Sequence, residues 1–143
     1  MTTKIRVMKE EDIDSIMDIW IQENISAHNF IDEKYWKTNK DKVQNQILKS
    51  KTFVYEDENE IKGFIGLSGN YIEGLFVKSQ YQRRGIGKEL LKHCKGIFWS
   101  LILKVYSENE AAVNFYEKNS FFQRDKMDNA ETGKTELYME WIK

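Results

Sequence analysis

The order of four neighbouring segments restricts the folds open to this chain more than anything else in it. An extended apolar run, YIEGLFVK at 71–78, leads into SQYQRRGIG at 79–87, a loop with two arginines and two glycines. An amphipathic run, GKELLKHCKG at 87–96, follows, and then a second apolar run, LILKVY at 101–106. Strand, helix and strand in that order form a crossover, which leaves the two strands parallel. Leu90, Leu91 and Cys94 share one helical face, and Gly96 is placed to end the helix. The run 101–106 is almost continuously apolar, as central strands covered on both faces are.

The segments around this unit read as hairpins and helices. A short strand is predicted at 5–8. A helix follows, with Ile13, Ile16, Met17 and Trp20 at helical spacing and acids in its first turn. Asp32 is placed to cap a second helix carrying Tyr35, Trp36, Val43, Ile47 and Leu48. Strands at 52–57 and 61–68, with turns at 58–60 and 69–70, lead into 71–78 as a meander. A helix at 109–119 and a hairpin of 121–127 with 135–142 close the chain. The pattern predicts an α/β (α+β) fold: a mixed, mostly antiparallel central sheet with helices on both faces, in one domain over 1–143.

Composition narrows the function classes. Of the 143 residues 41% are hydrophobic and 13% aromatic, which fits a packed globular core. The formal net charge is -1, so a surface for nucleic acid is not expected, and Arg83 and Arg84 suit one small anion. The single cysteine, Cys94, allows no intramolecular disulfide and fits a reducing, cytoplasmic setting. No apolar run reaches the roughly 20 residues of a membrane-spanning helix, and no leader-like segment opens the sequence. His93 and Cys94 are adjacent on a helix and point apart, so they make no nucleophile–base pair. No histidine–cysteine cluster has metal-ligand spacing, and no metal is expected.

The glycine loop carries the first chemistry. The leading amides of a helix lack intrahelical partners and, with the helix dipole, attract anions. Glycine lets phosphate oxygens approach the backbone, and the arginines add charged donors. A Walker A loop fails on spacing: Glu89 follows Gly87-Lys88, and Gln82 stands five before Gly87. A dinucleotide fingerprint fails because Leu90 occupies the third glycine position. A tight turn with surface arginines stays open on these residues alone.

The pattern Gln82-Arg83-Arg84-Gly85-Ile86-Gly87 resembles the Q/R-x-x-G-x-G/A signature of the GNAT superfamily of N-acetyltransferases. Leu75-Phe76-Val77 is similar to that family's fourth strand. The run 109–121 resembles N-x-x-A-x-x-F-Y-x-x-x-G-F, with Asn109, Ala112, Phe115, Tyr116 and Phe121 in place and Ser120 where the pattern has glycine. The element order also matches over nearly the whole chain. The likeness is greatest to small single-domain bacterial members, whose H-x-F-I after the first helix is echoed by His28-Asn29-Phe30-Ile31.

The resemblance implies acetyl-CoA as acyl donor and a primary amine, on a small molecule or a peptide, as acceptor. It implies that Leu75, Phe76 and Val77 pair with the pantetheine arm, with a backbone N–H in or next to Phe76 reaching the thioester carbonyl. Gln82, Arg83, Arg84, Gly85, Ile86, Gly87 and Lys88 would hold the pyrophosphate. Asn109 would contact the cofactor and Tyr116 its sulfur. A phenol, with a pKa of about 10, can protonate a departing thiolate; the alternative is that Tyr116 only packs and binds. Glu73, which the period of two places on a face with Leu75 and Val77, is the candidate base, with substrate anchoring as the other reading. Gly74 is a natural bulge residue or a packing glycine. His28, Phe30 and Trp36 are the candidate acceptor contacts. A non-catalytic acyl-CoA-binding regulatory module and a nucleotide-phosphate-binding regulator stay open as other classes. The state expected is a monomer or a homodimer.

Overall fold

Three antiparallel pairings build the first half of the sheet. In the computed structural model, which describes residues 3–143, β1 (Lys4–Val7) pairs with β2 (Lys51–Asp57), β2 with β3 (Glu60–Ser68), and β3 with β4 (Tyr71–Val77). Glu58 and Asn59, between β2 and β3, both have positive φ, at 54° and 64°. Two left-handed residues in a two-residue loop match the right-handed twist of the flanking strands. β4 then runs parallel to β5 (Ser100–Tyr106), β5 antiparallel to β7 (Thr135–Ile142), and β7 antiparallel to the edge strand β6 (Phe122–Asp128). The sheet order is β1-β2-β3-β4-β5-β7-β6. The mixed sheet expected from the crossover is therefore present, with a parallel pair where 71–78 and 101–106 placed it.

The helices cover opposite faces. On one side α1 (Ile13–Ala27) and α2 (Glu33–Lys49) bury Ile16, Met17, Trp20, Trp36 and Ile47 against Val54 and Phe64. On the other, α3 (Ile86–Lys95) and α4 (Glu110–Lys118) bury Leu90, Leu91, Cys94 and Tyr116 against Ile65, Leu67, Ile72, Leu101 and Leu103. Alternation along β3, with Phe64 on one face and Ile65 on the other, sorts the two cores. Asp32 caps α2, its carboxylate accepting the Lys34 N–H at 2.9 Å. Asn109 caps α4, its Oδ1 accepting the Ala112 N–H. Ser120, at the position where the resembling pattern has glycine, takes the left-handed conformation itself, with φ 72°. The turn after α4 is thus kept without glycine.

Two irregularities in β4 open the sheet and turn its side chains. The strand pairs with β5 only at Tyr71 with Ile102 and Ile72 with Leu103, so the two strands part beyond that point. Against β3, Gly66 stands opposite Gly74 and Leu67 opposite Ile72, which leaves Glu73 as an extra, unopposed residue. That is a β-bulge, and it reverses the alternation along the strand. Glu73 therefore does not share a face with Leu75 and Val77, as an unbroken period of two requires. Leu75 and Val77 pack on the α3 side, while Phe76 packs on the α1–α2 side, where Glu73 also lies. Among the described residues no helix is long and apolar enough to cross a membrane.

Candidate active site

The gap between β4 and β5 exposes one edge of β4. The Lys78 N–H donates to the Lys62 carbonyl of the neighbouring strand at 2.9 Å, and Phe76 stands opposite Phe64 in the same register. Alternate residues of an antiparallel ladder point their backbone groups the same way, so those of Phe76 face β3. The backbone groups of Leu75 and Val77 face the opening. The Val77 carbonyl accepts from Gln82 Nε2 at 2.9 Å. The donor expected in or next to Phe76 thus narrows to its two neighbours.

A 3-10 turn at Ser79–Tyr81 leads from β4 into the glycine loop. Arg83 and Gly85 both have positive φ, at 65° and 85°. Beyond its two chain neighbours no atom lies within 4 Å of where a Gly85 side chain would start, so its backbone conformation, not lack of space, is what favours glycine there. The first bond of α3 runs from the Glu89 N–H to the Gly85 carbonyl at 2.9 Å, leaving the amides of Ile86, Gly87 and Lys88 at the helix start. Arg83, Arg84 and Lys88 are exposed beside them. Ile86 buries its side chain in the α3-side core and offers only its backbone to the loop. Gly87 has a different reason from Gly85: a Cβ there would lie 3.1 Å from the Phe115 ring of α4.

Glu23 holds this loop from behind. It is 8% exposed, and its carboxylate accepts from the Ser79 N–H at 3.1 Å, Ser79 Oγ at 2.8 Å and Gln82 Nε2 at 2.9 Å. Gln82 therefore bridges α1 and β4. Sequence reasoning passed over Glu23, although it lies seven after Ile16 and three after Trp20 on the apolar face of α1. An acid at a core position of a helix is a signal in itself, since buried carboxylates need donors.

Tyr116 lies in the α3-side core, 8% exposed, with Phe115 and Phe121 edge-on at centroid distances of 5.2 and 5.4 Å. Burial pushes its phenol well above the ordinary tyrosine range. Seven residues earlier, Asn109 is the cap rather than a helical residue, and its Nδ2 contacts His28 Nε2 at 3.2 Å. Among the described residues no group of histidine, cysteine and acids could hold a metal.

The comparisons with known proteins agree with this layout. A model of the acetyltransferase (GNAT) family matches residues 13–121. This chain belongs to the GNAT acetyltransferase family. Among curated proteins it is 29% identical to the peptidyl-lysine N-acetyltransferase YiaC of Escherichia coli, over 96% of this chain and 95% of that one. The solution structure of apo YjaB from Escherichia coli superposes with a TM-score of 0.86 at 26% identity, over 99% of this chain and 98% of that chain. The fold is also shared with a PaiA N-acetyltransferase from Thermoplasma acidophilum, solved with coenzyme A, at TM-score 0.83 and 22% identity over the whole of both chains.

As a GNAT acetyltransferase the chain draws on acetyl-CoA as acyl donor and passes the acetyl group to an amine. Its residues fit that donor. The opening between β4 and β5 leaves strand-edge groups of Leu75 and Val77 for an extended, amide-bearing chain. The α3 amides with Arg83, Arg84 and Lys88 would give a pyrophosphate a cationic end.

On the α1–α2 side of the sheet the groups beside β4 are aromatic and acidic. Glu73 is exposed at the bulge, accepting from Ser68 Oγ at 2.6 Å and Ser50 Oγ at 3.5 Å. It rims a hollow walled by Trp20, Ile47, Phe64 and Phe76. His28, Phe30 and Trp36 are not beside Glu73 on that rim. They gather around Tyr106 at the end of β5, with His28 ring centroids 5.5 Å from Phe30, 5.1 Å from Trp36 and 5.4 Å from Tyr106. His28 and Trp36 are each 7% exposed and Phe30 is half-buried, so this cluster is mostly core.

Proposed function

We propose that this acetyltransferase acts on lysine side chains presented by a peptide or protein. The observation that carries the reading is an open surface beside the cleft. Ile72 and Leu103 face the α3 side, so their neighbours Tyr71 and Ile102 face the α1–α2 side, which we read as the acceptor side, one rung before the strands part. From Ile102 a shallow hollow continues over β7 and β6, lined by Arg124, Asp125, Met127, Tyr138 and Glu140. An extended polypeptide fits that surface, whereas a small free amine is better served by an enclosed pocket. The reading agrees with the similarity to YiaC along nearly the full length of both chains.

Acetyl-CoA supplies the activated acetyl group. The backbone N–H of Leu75 or Val77 stabilises charge on the thioester oxygen. The lysine nitrogen forms the new bond to the acetyl carbon as the carbon–sulfur bond breaks. Tyr116 gives its proton to the departing sulfur, and Glu73 takes the proton that the amine loses. The bulge favours that second role by turning Glu73 to the acceptor side, away from the apolar packing of Leu75 and Val77.

Glu73→Gln is expected to lower kcat by about tenfold or more and to depress the rise in rate expected toward alkaline pH. The measurement is free-thiol release against pH with a lysine peptide. An unaltered profile would give the proton to water and leave Glu73 as an anchor. In an acceptor panel, lysine peptides should exceed free polyamines and peptide N-termini; the opposite ranking would overturn the acceptor reading.

A further inference from the structure

His28 bridges two elements that carry different parts of the site. Its Nδ1 lies 3.0 Å from the Asn24 carbonyl near the end of α1. Its Nε2 lies 3.2 Å from Asn109 Nδ2 at the start of α4. A carbonyl only accepts, so the proton of the neutral ring sits on Nδ1. Nε2 is then a lone-pair acceptor, which suits the amide NH2 of Asn109. That amide cannot turn over freely, because its Oδ1 accepts the Ala112 N–H and caps α4. One tautomer satisfies all four groups.

We infer that His28, held neutral as the Nδ1–H tautomer, is a positioning residue that fixes the start of α4, and through it Tyr116, against the end of α1. A second proton on the ring would set Nε2–H against Asn109 Nδ2–H, donor against donor. Turning the amide moves the same conflict to the Ala112 N–H. The arrangement therefore needs an uncharged His28.

The groups that face the ring are consistent with this. From α1 comes the Asn24 carbonyl, from α2 Trp36, from the connecting loop Phe30, from β5 Tyr106 and from the start of α4 Asn109. Of these only Tyr106 titrates, and burial pushes its phenol up. Tyr35, next to Tyr106, is pushed up to about 12, chiefly by burial. Glu131 and Glu136 act on those two phenols. Burial also lowers the His28 pKa, against the opposing effect of its bond to Asn24. Folding thus loses stability as pH falls through the ordinary histidine range, because the unfolded chain takes up a proton that the folded ring refuses.

The role assigned to Tyr116 rests on the acetyl-transfer reading; the tautomer does not. The chain has two histidines, so nitrogen NMR of the 143-residue protein gives two ring systems, assigned with a His93→Gln variant. The expected spectrum shows His28 protonated at Nδ1 and bare at Nε2 at pH 7. Asn109→Asp keeps a capping oxygen but offers Nε2 an anion, and should raise the His28 titration by about one pH unit or more. In steady-state kinetics His28→Gln, whose Oε1 can stand in for Nε2, should keep kcat within about threefold, while His28→Phe should lower it about tenfold or more. An Nε2–H tautomer, a doubly protonated ring at pH 7, or wild-type kcat in His28→Phe overturns the inference. Equal losses in the Gln and Phe variants overturn it too. If no amine is acetylated but the tautomer and the Asn109→Asp shift are found, the failure belongs to the proposed function and not to His28.

Discussion

Tyr116→Phe is expected to lower kcat by about tenfold or more while the affinity for coenzyme A stays the same. The substitution removes one hydroxyl and leaves the ring between Phe115 and Phe121, so the core that holds α4 is unchanged. Burial keeps the proton on the phenol, so it is present to be given, and also makes the phenol a weaker acid. Its pKa is raised, so the proton is present throughout the neutral range, and no alkaline loss of rate below about pH 10 should trace to this group. The same burial disfavours a bare thiolate beside it and raises the proton affinity of the sulfur. Transfer from phenol to sulfur is therefore not opposed by the whole shift. Free-thiol release gives kcat, and calorimetric titration with coenzyme A gives the affinity. Wild-type turnover in the Phe variant would remove Tyr116 from the acid role.

Glu23→Ala should show the opposite division of effects, with KM for acetyl-CoA raised and kcat largely kept. The carboxylate accepts from the Ser79 backbone and hydroxyl and from the Gln82 amide. Ser79 and Gln82 are exposed and can turn to water, so what is lost is the net worth of hydrogen bonds to a charged acceptor, about 1.5–3 kcal/mol, which corresponds to roughly 10- to 150-fold. The cost falls on the loop that leads to Arg83, Arg84 and the start of α3, not on Tyr116. Glu23→Gln, which keeps one acceptor oxygen, should fall between. An unchanged KM in Glu23→Ala would mean that the loop holds its shape without α1.

Most of the architecture was legible because two periodicities and a few turn residues report on it directly. The apolar run at 101–106 marked a central strand, Asp32 marked a helix start, and the length between 78 and 101 required a crossover. The bulge was harder to use. Gly74 pointed to it, but the period of two was carried straight through it, and Glu73 was placed on the wrong face. A one-residue insertion in register leaves almost no mark on composition and reverses every side chain before it. Contacts far apart in sequence were illegible for a similar reason. Nothing near Gly87 announces Phe115, and nothing near His28 announces Asn109, 81 positions away. Glu23 is the intermediate case, visible as an acid on an apolar helix face but silent about which donors it meets.

Acetyl transfer to lysine meets its sharpest test in mass spectrometry of a lysine peptide with a blocked N-terminus, incubated with the protein and acetyl-CoA, while released thiol is counted in the same sample. One acetyl group on the lysine nitrogen is expected for each thiol released. Binding of acetyl-CoA with neither acetylated lysine nor released thiol, and no acetylation of any other amine offered, would contradict it.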